Sequence, residues 1–378
     1  MLLSTLPFTK VPLWTKAVTT VSARTTSAHP WLTRVLGRFG VSDPGVLWRL
    51  MRLAPRAQVV LLNGGERIDL IYLALAGLCP WIRAPHVIVD AHWEPGAGAV
   101  HRAVQRVILF LGRRLLAEVQ PHSAEEVPLY ESVFGLDPAI VNPLPWSTSL
   151  TGYEHIRRMV SQGDAIVTGG HSYRDYSTLL KAVETASWPL LIGLPPSPAT
   201  DAVRQRSASM PHVRLISDWT FSQYWQEVAN SRVFAMAITP GLRRCTADQT
   251  LLNAMALGTL VVATNAMSSR IYIEHGVTGF LVPEGDAKAW HDTLDHVFAL
   301  PYSEAQAIRD RAQEVARTQF SEETRLQTTL MRARAAAARW AVRDAPKPNE
   351  VQPGRFAWAP AALAALLAVK VMALPYFL

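Results

Sequence analysis

The second half of the chain alternates short apolar runs with amphipathic segments, and this alternation restricts the fold more than any other feature. The apolar runs lie at 165–168, 189–193, 212–216, 231–238, 259–264 and 279–282. Turn residues bound them, as is typical of short strands that are buried on both faces. Strands that alternate with helices predict a doubly wound parallel sheet. Ligands bind such sheets at the carboxyl ends of the strands, near the point where the strand order reverses.

The first half of the chain alternates in the same way, but less regularly. Three strands and three helices are predicted there, at 58–62, 68–79, 86–90, 99–117, 118–123 and 124–133. Residues 1–56 contain no strong opening strand. The Pro- and Gly-containing stretch 143–163 is the best candidate for a connection between domains. A chain of 378 residues also favours two domains.

The charge balance and the cysteines narrow the class of protein. The chain has 37 Lys and Arg against 30 Asp and Glu, which favours an anionic substrate or membrane surface, or else is a solvated basic face. No nucleic-acid motif is present, so nucleic acid is not an expected partner. Cys79 and Cys245 lie far apart and form no metal-binding spacing, so no metal is expected. Without a convincing signal peptide, these features predict a cytoplasmic protein.

The C-terminal segment 356–378 is strongly apolar, with Lys370 as its one charged side chain. As a helix it would reach roughly 34 Å, enough to cross a bilayer core. Pro360, Pro375 and Lys370 oppose a membrane-spanning role. Three interpretations stay open: a tail that contacts the inner face of a membrane peripherally, a buried C-terminal helix, or a disordered segment.

The stretch 238–286 carries the most specific pattern in the sequence. A Pro-Gly loop leads into a helix N-terminus, where N–H groups and the helix dipole favour an anion. Arg243 and Arg244 lie in that loop and can pair with a phosphate, bidentately where the geometry allows. Gly258 ends the helix, a buried strand follows, and a second Gly-containing turn at 275–279 leads into the next strand.

This stretch resembles the donor-binding half of family 4 retaining glycosyltransferases. Their run is Glu-x7-Glu-Ala-Met-Ala-x-Gly-x-Pro-Val-Val-Ala-Thr, followed by a Glu- and Gly-containing turn. The matching residues are Ala254, Met255, Ala256, Gly258, Val261, Val262, Ala263, Thr264, Glu274, Gly276, Gly279, Leu281, Val282, Gly285 and Asp286. Residues 167–183 resemble the strand, loop and helix that open the family's C-terminal domain. The resemblance covers roughly 58–340 and is looser before residue 120.

The resemblance implies a GT-B-type α/β fold, with two Rossmann-like domains facing across a cleft. The predicted parts are an N-terminal extension, an acceptor-side domain, a nucleotide-sugar-binding domain, a helix that packs back on the acceptor-side domain, and the hydrophobic tail. Their ranges are 1–56, 57–148, 149–320, 321–344 and 356–378, respectively.

One departure from the family concerns its paired glutamates, which fall at Cys245 and Asn253. In the family, the second glutamate binds the nucleotide ribose and the first lies near the transferred sugar. Asn253 can still hydrogen-bond ribose hydroxyls, because its amide both donates and accepts. Cys245 cannot act as a carboxylate, so Asp248, one helical turn further on, is the candidate substitute. The alternative is a site that has lost transferase activity.

Nucleotide-sugar transfer builds negative charge on the leaving diphosphate, which basic side chains and helix N-termini stabilise. Arg174 matches the family's phosphate-binding position, although a surface helix charge is the alternative. Gly169 and Gly170 allow a ligand to approach the backbone closely, or simply form a tight turn. The predicted donor-binding residues are Gly169, Gly170, His171, Arg174, Arg243, Arg244, Asn253 and Thr264.

In the first half, Asp90 and His92 follow a predicted strand, where acceptor chemistry is expected. His92 is the candidate acceptor-binding residue, and Asp90 the candidate base or orienting group. A capping Asp and a packed His are the structural alternatives. Trp93 is a candidate for stacking on a sugar ring. Ser123 is predicted to cap a helix, with Glu126 completing a capping box.

The function predicted from these observations is hexosyltransferase-like: a sugar moves from a nucleotide-sugar donor to a glycan or lipid-linked acceptor, with the retention of configuration that the resemblance implies. The predicted catalytic residues are Asp90, His92 and Asp248, and the donor is a substrate, so no cofactor is expected. A membrane-tethered, non-catalytic binding subunit is the main alternative. A sugar-nucleotide epimerase is the third.

Overall fold

The chain forms two compact units in a computed structural model that describes residues 1–21, 43–94, 98–158, 164–170 and 172–343. The first unit comprises Met1–Leu144 and the described chain from Leu326 onward. The second comprises Pro145–Arg325. Each unit has its own parallel sheet, with a hydrophobic core on both faces of it.

The first unit is built on a five-stranded parallel sheet in the order β2-β1-β3-β4-β5. Its strands are β1 (Leu2–Ser4), β2 (Val18–Thr20), β3 (Val59–Asn63), β4 (His86–Val89) and β5 (Leu116–Val119). Its helices are α1 (Pro12–Ala17), α2 (Pro44–Leu53), α3 (Arg67–Gly77), α4 (Ala99–Gly112), α5 (Val127–Ser132) and, from Leu326, the long helix α13 (Glu322–Arg343).

Alternate residues of these strands enter different cores, because successive side chains of a strand point to opposite faces. Val60 and Leu62 of β3 pack in the core that contains residues of α2, α3 and α4. Val59 and Leu61 pack in the core that contains residues of α1 and α13. Apolar residues at successive positions therefore bury both faces of the sheet.

Two strands of the first unit come from residues 1–56, where the sequence analysis found no opening strand. β1 pairs with both β2 and β3, so this region supplies part of the central sheet. Each of the two strands is only three residues long. A strand that short shows no alternation from which its face can be read.

The second unit has a six-stranded parallel sheet in the order β11-β10-β9-β6-β7-β8. Its strands are β6 (Ile166–Gly169), β7 (Leu190–Gly193), β8 (Val213–Ile216), β9 (Val233–Met236), β10 (Leu260–Thr264) and β11 (Phe280–Val282). Its helices are α6 (Tyr176–Val183), α7 (Pro198–Ser207), α8 (Phe221–Asn230), α9 (Asp248–Ala256), α10 (Ser269–Tyr272), α11 (Ala287–Ala299) and α12 (Tyr302–Thr318).

The strand order of the second sheet reverses between β6 and β9, which follow each other in the sheet but not in the chain. This is the switch point at which open α/β sheets bind ligands. Two parallel sheets with alternating helices confirm the predicted α/β class with two Rossmann-like domains. The six apolar runs of the second half all coincide with strands.

Within the described residues, none of the helices combines the length and the apolar character that a bilayer crossing requires. The predicted hydrophobic tail, 356–378, lies outside the described residues.

Candidate functional site

Two loops run side by side at the switch point of the second sheet, one after β6 and one after β9. The Thr239 N–H donates to the Tyr173 carbonyl oxygen at 3.0 Å, and the Asp175 N–H donates to the Ala237 carbonyl oxygen at 3.0 Å. Arg174 and Ile238 form an antiparallel bridge. These bonds join the loop that contains the predicted glycines to the loop that contains the predicted arginines.

Gly169 and Gly170 leave room for neighbouring side chains. A Cβ on Gly169 would lie 2.7 Å from the Tyr224 ring, and one on Gly170 would lie 2.9 Å from the Arg174 guanidinium. Gly170 also has a φ of 90°, which favours glycine. The glycines therefore have a packing role at this turn, and His171, which follows them, lies outside the described residues.

The guanidinium of Arg174 holds the loop after β6. Its Nε donates to the Gly169 carbonyl oxygen at 3.1 Å, and its Nη1 donates to the Ser172 carbonyl oxygen at 2.8 Å. Burial lowers the pKa of Arg174 from its usual value, although nearby groups, including Asp248, act in the opposite direction. Arg174 thus places a positive charge at the switch point.

The two arginines of the loop after β9 have different surroundings. Arg243 is exposed. The guanidinium of Arg244 lies 5.1 Å from the centroid of the Tyr173 ring, a cation–π contact. Arg244 is thereby held against the loop after β6, whereas Arg243 makes no such contact with a ring of the described residues.

A cavity of about 510 Å³ lies at the carboxyl ends of β6, β7 and β8. Its size is within the range of small-molecule sites. All but one residue of its aromatic wall follow β8, and its polar wall carries hydroxyl and amide groups. The aromatic wall consists of Tyr153, Trp219, Phe221, Tyr224 and Trp225, and the polar wall of Ser149, Gln249, Thr250 and Asn253. Of the predicted donor-binding residues, Gly170 and Asn253 line this cavity.

The aromatic wall was missed by the sequence analysis. A Cβ on Gly193 would lie 2.9 Å from both the Trp219 and the Tyr224 rings, so glycine at the end of β7 lets these rings approach the strand. The ring centroids of Trp219 and Tyr224 are 6.1 Å apart. Four aromatic residues within 219–225, directly after a strand, were the available signal.

The Tyr224 hydroxyl is buried and has no hydrogen-bond partner among the described residues. Burial raises the pKa of this phenol well above its usual value, so the group stays protonated and can donate. Because Tyr224 lines the cavity, its hydroxyl is a polar group that a ligand could satisfy.

The Asn253 amide contacts Ser149. Its Oδ1 accepts from the Ser149 N–H at 2.8 Å, and its Nδ2 donates to Ser149 Oγ at 3.2 Å. Gln249 also donates to Ser149 Oγ. Asn253 stands where the resembling family has a ribose-binding glutamate. In this protein its side chain binds Ser149, in the segment with which the second unit begins.

Asp248 and Thr264, the other predicted residues of this unit, are both buried. Asp248 Oδ1 accepts from the Tyr272 hydroxyl at 2.8 Å. The Thr264 hydroxyl oxygen accepts from the Ile238 N–H at 2.9 Å, which fixes the end of β9. Neither residue lines the cavity, and Cys245 is buried as well.

In the first unit, the carboxyl ends of β4 and β5 bring three side chains together. Asp90 Oδ1 lies 3.5 Å from His122 Nε2, and both residues are buried. His92 Nδ1 donates to the Asp90 carbonyl oxygen at 2.6 Å, and its ring centroid lies 5.8 Å from that of His122. With Nδ1 donating, a neutral His92 carries its lone pair on Nε2. His122 was not among the predicted site residues.

The structure decides two neighbouring predictions. Trp93 is buried, donates from Nε1 to the Gly64 carbonyl oxygen at 2.7 Å and stacks on Tyr130, so the prediction that it stacks on a sugar is wrong. The predicted capping box is confirmed, because Ser123 and Glu126 satisfy each other's backbone N–H groups.

Comparison with known proteins gives the same architecture. Residues 173–299 match the family model of Glycosyl transferases group 1. No significant match is found among curated proteins. A glycosyltransferase from Rickettsia africae superposes with a TM-score of 0.62 at 14% identity, covering 85% of this chain and 86% of that one.

HepE from Anabaena superposes in two ligand complexes. With UDP bound, the TM-score is 0.66 at 16% identity. With UDP-glucose bound, it is 0.63 at 15% identity. Each comparison covers 84% of this chain and 86% of HepE. The fold is therefore that of GT-B glycosyltransferases.

Proposed function

We propose that this protein is a glycosyltransferase that moves a sugar from a nucleotide-sugar donor to a glycan or lipid-linked acceptor. The cavity of the second unit carries the proposal. It lies beside the switch point of the sheet, where this fold class binds ligands, and one aromatic and one amide–hydroxyl wall suit a nucleoside. The match to the glycosyltransferase family model over 173–299 supports the same reaction class.

In this proposal the nucleoside of the donor lies against the aromatic wall, and its ribose hydroxyls face Asn253 and Gln249. Arg174 and Arg244 lie on the adjoining loops, where their charge would stabilise the diphosphate as it leaves. The nucleotide sugar is a substrate, and the proposal includes neither a metal nor another cofactor. HepE was solved with UDP and UDP-glucose, so UDP-sugars are the first donors to test.

The finer assignments rest on the sequence resemblance. The motif in 238–286 supports family 4 membership and retention of anomeric configuration as parts of the proposal. In the first unit, we assign acceptor handling to His92 and Asp90, and we add His122 because it contacts Asp90. His92 Nε2 is the group with a lone pair suited to accept a proton from a sugar hydroxyl. If the acceptor is lipid-linked, we propose that segment 356–378 contacts the membrane.

The binding step is tested by titrating UDP and UDP-glucose into the full chain by calorimetry. Trp219→Ala removes part of the aromatic wall and should weaken UDP binding by about tenfold, because base–aromatic contacts contribute about 1–3 kcal/mol. The matched control is Trp48→Ala, since Trp48 is 60% exposed and lies in the first unit. Equal UDP affinity in both variants would contradict the cavity assignment.

A second candidate function is a binding subunit without transferase activity. It is favoured by the buried thiol of Cys245 and by the contact between Asn253 and Ser149, where the family has glutamates. UDP release from UDP-sugars separates the two candidates. Release that depends on an added glycan or lipid-linked acceptor supports the transferase, whereas tight binding without any release supports the subunit.

A further inference from the structure

Three arginines meet at the amino ends of the strands of the second sheet, the edge opposite the proposed donor site. Arg158 Nη1 donates to the carbonyl oxygens of Ala229 and Ser231, each at 3.1 Å. Arg232 directly precedes β9, and its Nη2 donates to the Phe298 carbonyl oxygen at 2.8 Å. Arg158 is therefore fixed at the peptide unit that precedes Arg232.

The third member, Arg309, lies on α12 and is only 1% exposed. Burial, followed by the charges of Arg158 and Arg232, lowers the pKa of Arg309 to about 10. Tyr302 and Asp310 act on this pKa in the opposite direction, but the net effect is a lowered value, so positive charge outweighs negative charge around Arg309. No ion pair joins any of the three to a carboxylate in the described parts of the chain.

Each of these guanidiniums has a buried N–H donor that the described residues leave without a partner: Arg158 Nη2, Arg232 Nε and Arg309 Nε. A guanidinium keeps its protons in proteins, so these N–H groups remain donors and each needs a hydrogen-bond acceptor. Clustered positive charge is unfavourable without counter-charge, and buried donors are unfavourable without acceptors. A single ligand that supplies negative charge and several acceptor oxygens meets both requirements.

We propose that Arg158, Arg232 and Arg309 form a binding site for a phosphate-type oxyanion at the amino edge of the second sheet. A phosphate offers several acceptor oxygens to donors from different side chains, and guanidinium–phosphate hydrogen bonds are among the strong ones. Inorganic phosphate and the phosphate group of a small phosphorylated molecule share this chemistry. The site lies on the other edge of the sheet from the cavity, so it does not depend on the proposed function.

The test follows the thermal stability of the full chain as inorganic phosphate is added, with chloride as the control at equal ionic strength. Phosphate should raise the melting temperature saturably, and chloride should not. Glycerol phosphate as a second ligand distinguishes a phosphate monoester from the free ion: the site belongs to the monoester if it binds more tightly, and to free phosphate if it does not.

Arg232→Gln should weaken phosphate binding by about tenfold, because it removes one charge-assisted contact. Arg204→Gln is the matched control, since Arg204 is exposed and pairs with Asp201 on α7. Arg158→Lys is a second variant that keeps the charge but loses the planar fork, and it should also weaken binding. Arg309 is left intact because its burial makes a folding defect the expected result.

Two further measurements separate this site from the donor cavity. Trp219→Ala should keep the phosphate response, and Arg232→Gln should keep the UDP response. The proposal is overturned if phosphate fails to stabilise the wild-type chain, or if Arg232→Gln and Arg158→Lys respond to phosphate as the wild type does.

Discussion

Asp69 is a carboxyl group buried where the strand order of the first sheet reverses, between β1 and β3. Its Oδ2 accepts from the Thr5 hydroxyl and from the Asn63 N–H, the latter at 2.7 Å. Burial raises the pKa of Asp69 to about 7, and the charge of Glu66 acts in the same direction, although the two hydrogen bonds oppose it. The folded protein therefore holds a proton that the unfolded chain releases near pH 4.

This pKa predicts that stability falls as the pH rises. Below pH 4 the carboxyl group is protonated in both states, between pH 4 and 7 only the folded state keeps the proton, and above pH 7 the loss is complete. The shift corresponds to about 4 kcal/mol in the free energy of unfolding. Asp69→Asn should reduce the loss of stability between pH 5 and 8 in urea unfolding. Asp201→Asn, at an exposed carboxylate, should leave that loss unchanged.

Removal of the Tyr224 hydroxyl should weaken UDP binding without lowering the stability of the protein. Tyr224→Phe removes a buried group that has no partner, so the free energy of unfolding should stay unchanged or rise by about 1 kcal/mol. If the nucleotide satisfies this hydroxyl, UDP should bind about fivefold more weakly, in line with one lost hydrogen bond. Urea unfolding and calorimetric titration measure the two quantities.

Tyr176→Phe is the matched control for this prediction. The Tyr176 hydroxyl donates to the Gly170 carbonyl oxygen, so its removal should destabilise the protein by about 1 kcal/mol. Destabilisation by Tyr224→Phe of the same size would show that the Tyr224 hydroxyl is satisfied within the protein. UDP affinity equal to that of the wild type would show that the ligand does not contact it.

Asn253 shows which features of a single residue its sequence context predicts and which it does not. The family motif indicated its position on a helix beside the donor, and the structure places it in the wall of the cavity. Its contact with Ser149, 104 residues earlier in the chain, could not be inferred, because no local pattern relates the two residues. The Asp90–His122 pair was missed for the same reason: each residue follows a different strand.

At the scale of elements, α3 and α4 approach each other closely through glycines. A Cβ on Gly77 would lie 2.0 Å from the Leu111 carbonyl oxygen, and a Cβ on Gly112 would lie 2.4 Å from the Leu73 side chain. The first obstacle is backbone and the second is a side chain that can rotate. The two substitutions should therefore differ in their effects.

Gly77→Ala should destabilise the protein by about 2–3 kcal/mol, because the helices must separate to admit the methyl group. Gly112→Ala should cost less, since the Leu73 side chain can move. Gly98→Ala is the control: no atom lies within 4 Å of its Cβ, so the change should cost only what alanine costs at the N-cap of α4, about 0.5–1 kcal/mol. Urea unfolding, monitored by circular dichroism, measures the free energy of unfolding of each variant and thus ranks the three. If Gly77→Ala and Gly112→Ala cost no more than the control, α3 and α4 can move apart without a loss of stability.

The strands that could be predicted from the sequence are those that lie in buried apolar runs. All six strands of the second sheet follow apolar runs bounded by turns, and β3 and β4 do as well. β1 and β2 were missed because their residues, LLS and VTT, do not form an apolar run bounded by turns, whereas β11, which is equally short, lies in such a run. Pairing with other strands, which the local sequence pattern does not reveal, thus makes these two segments strands.

At the scale of the whole molecule, the two units differ in chain continuity. The second unit is one continuous segment, Pro145–Arg325, with a core on each face of its sheet. The first unit needs two segments, because its second core contains Leu326, Leu330, Ala333 and Ala336 from α13. A fragment that ends at residue 144 would expose that face of the sheet to water.

The ends of the second unit are tied to each other. The Thr148 N–H donates to the Phe320 carbonyl oxygen at 2.8 Å, and Arg325 Nε donates to the Pro145 carbonyl oxygen at 3.2 Å. The Arg325 guanidinium also lies 4.3 Å from the centroid of the Trp146 ring. These contacts close the unit on itself, as expected of a segment that can fold alone.

We therefore expect a fragment of residues 145–325 to unfold cooperatively and to bind UDP as the full chain does, since all residues of the cavity lie within it. A fragment of residues 145–318 lacks Phe320 and Arg325, and it should melt several degrees lower because a loss of about 1 kcal/mol shifts a domain of this size by roughly 2–4 °C. Residues 1–144 alone should aggregate. Thermal melting with and without UDP distinguishes these outcomes. If the 145–325 fragment folded but failed to bind UDP, the donor site would require residues of the first unit, and the cavity alone would not explain nucleotide binding.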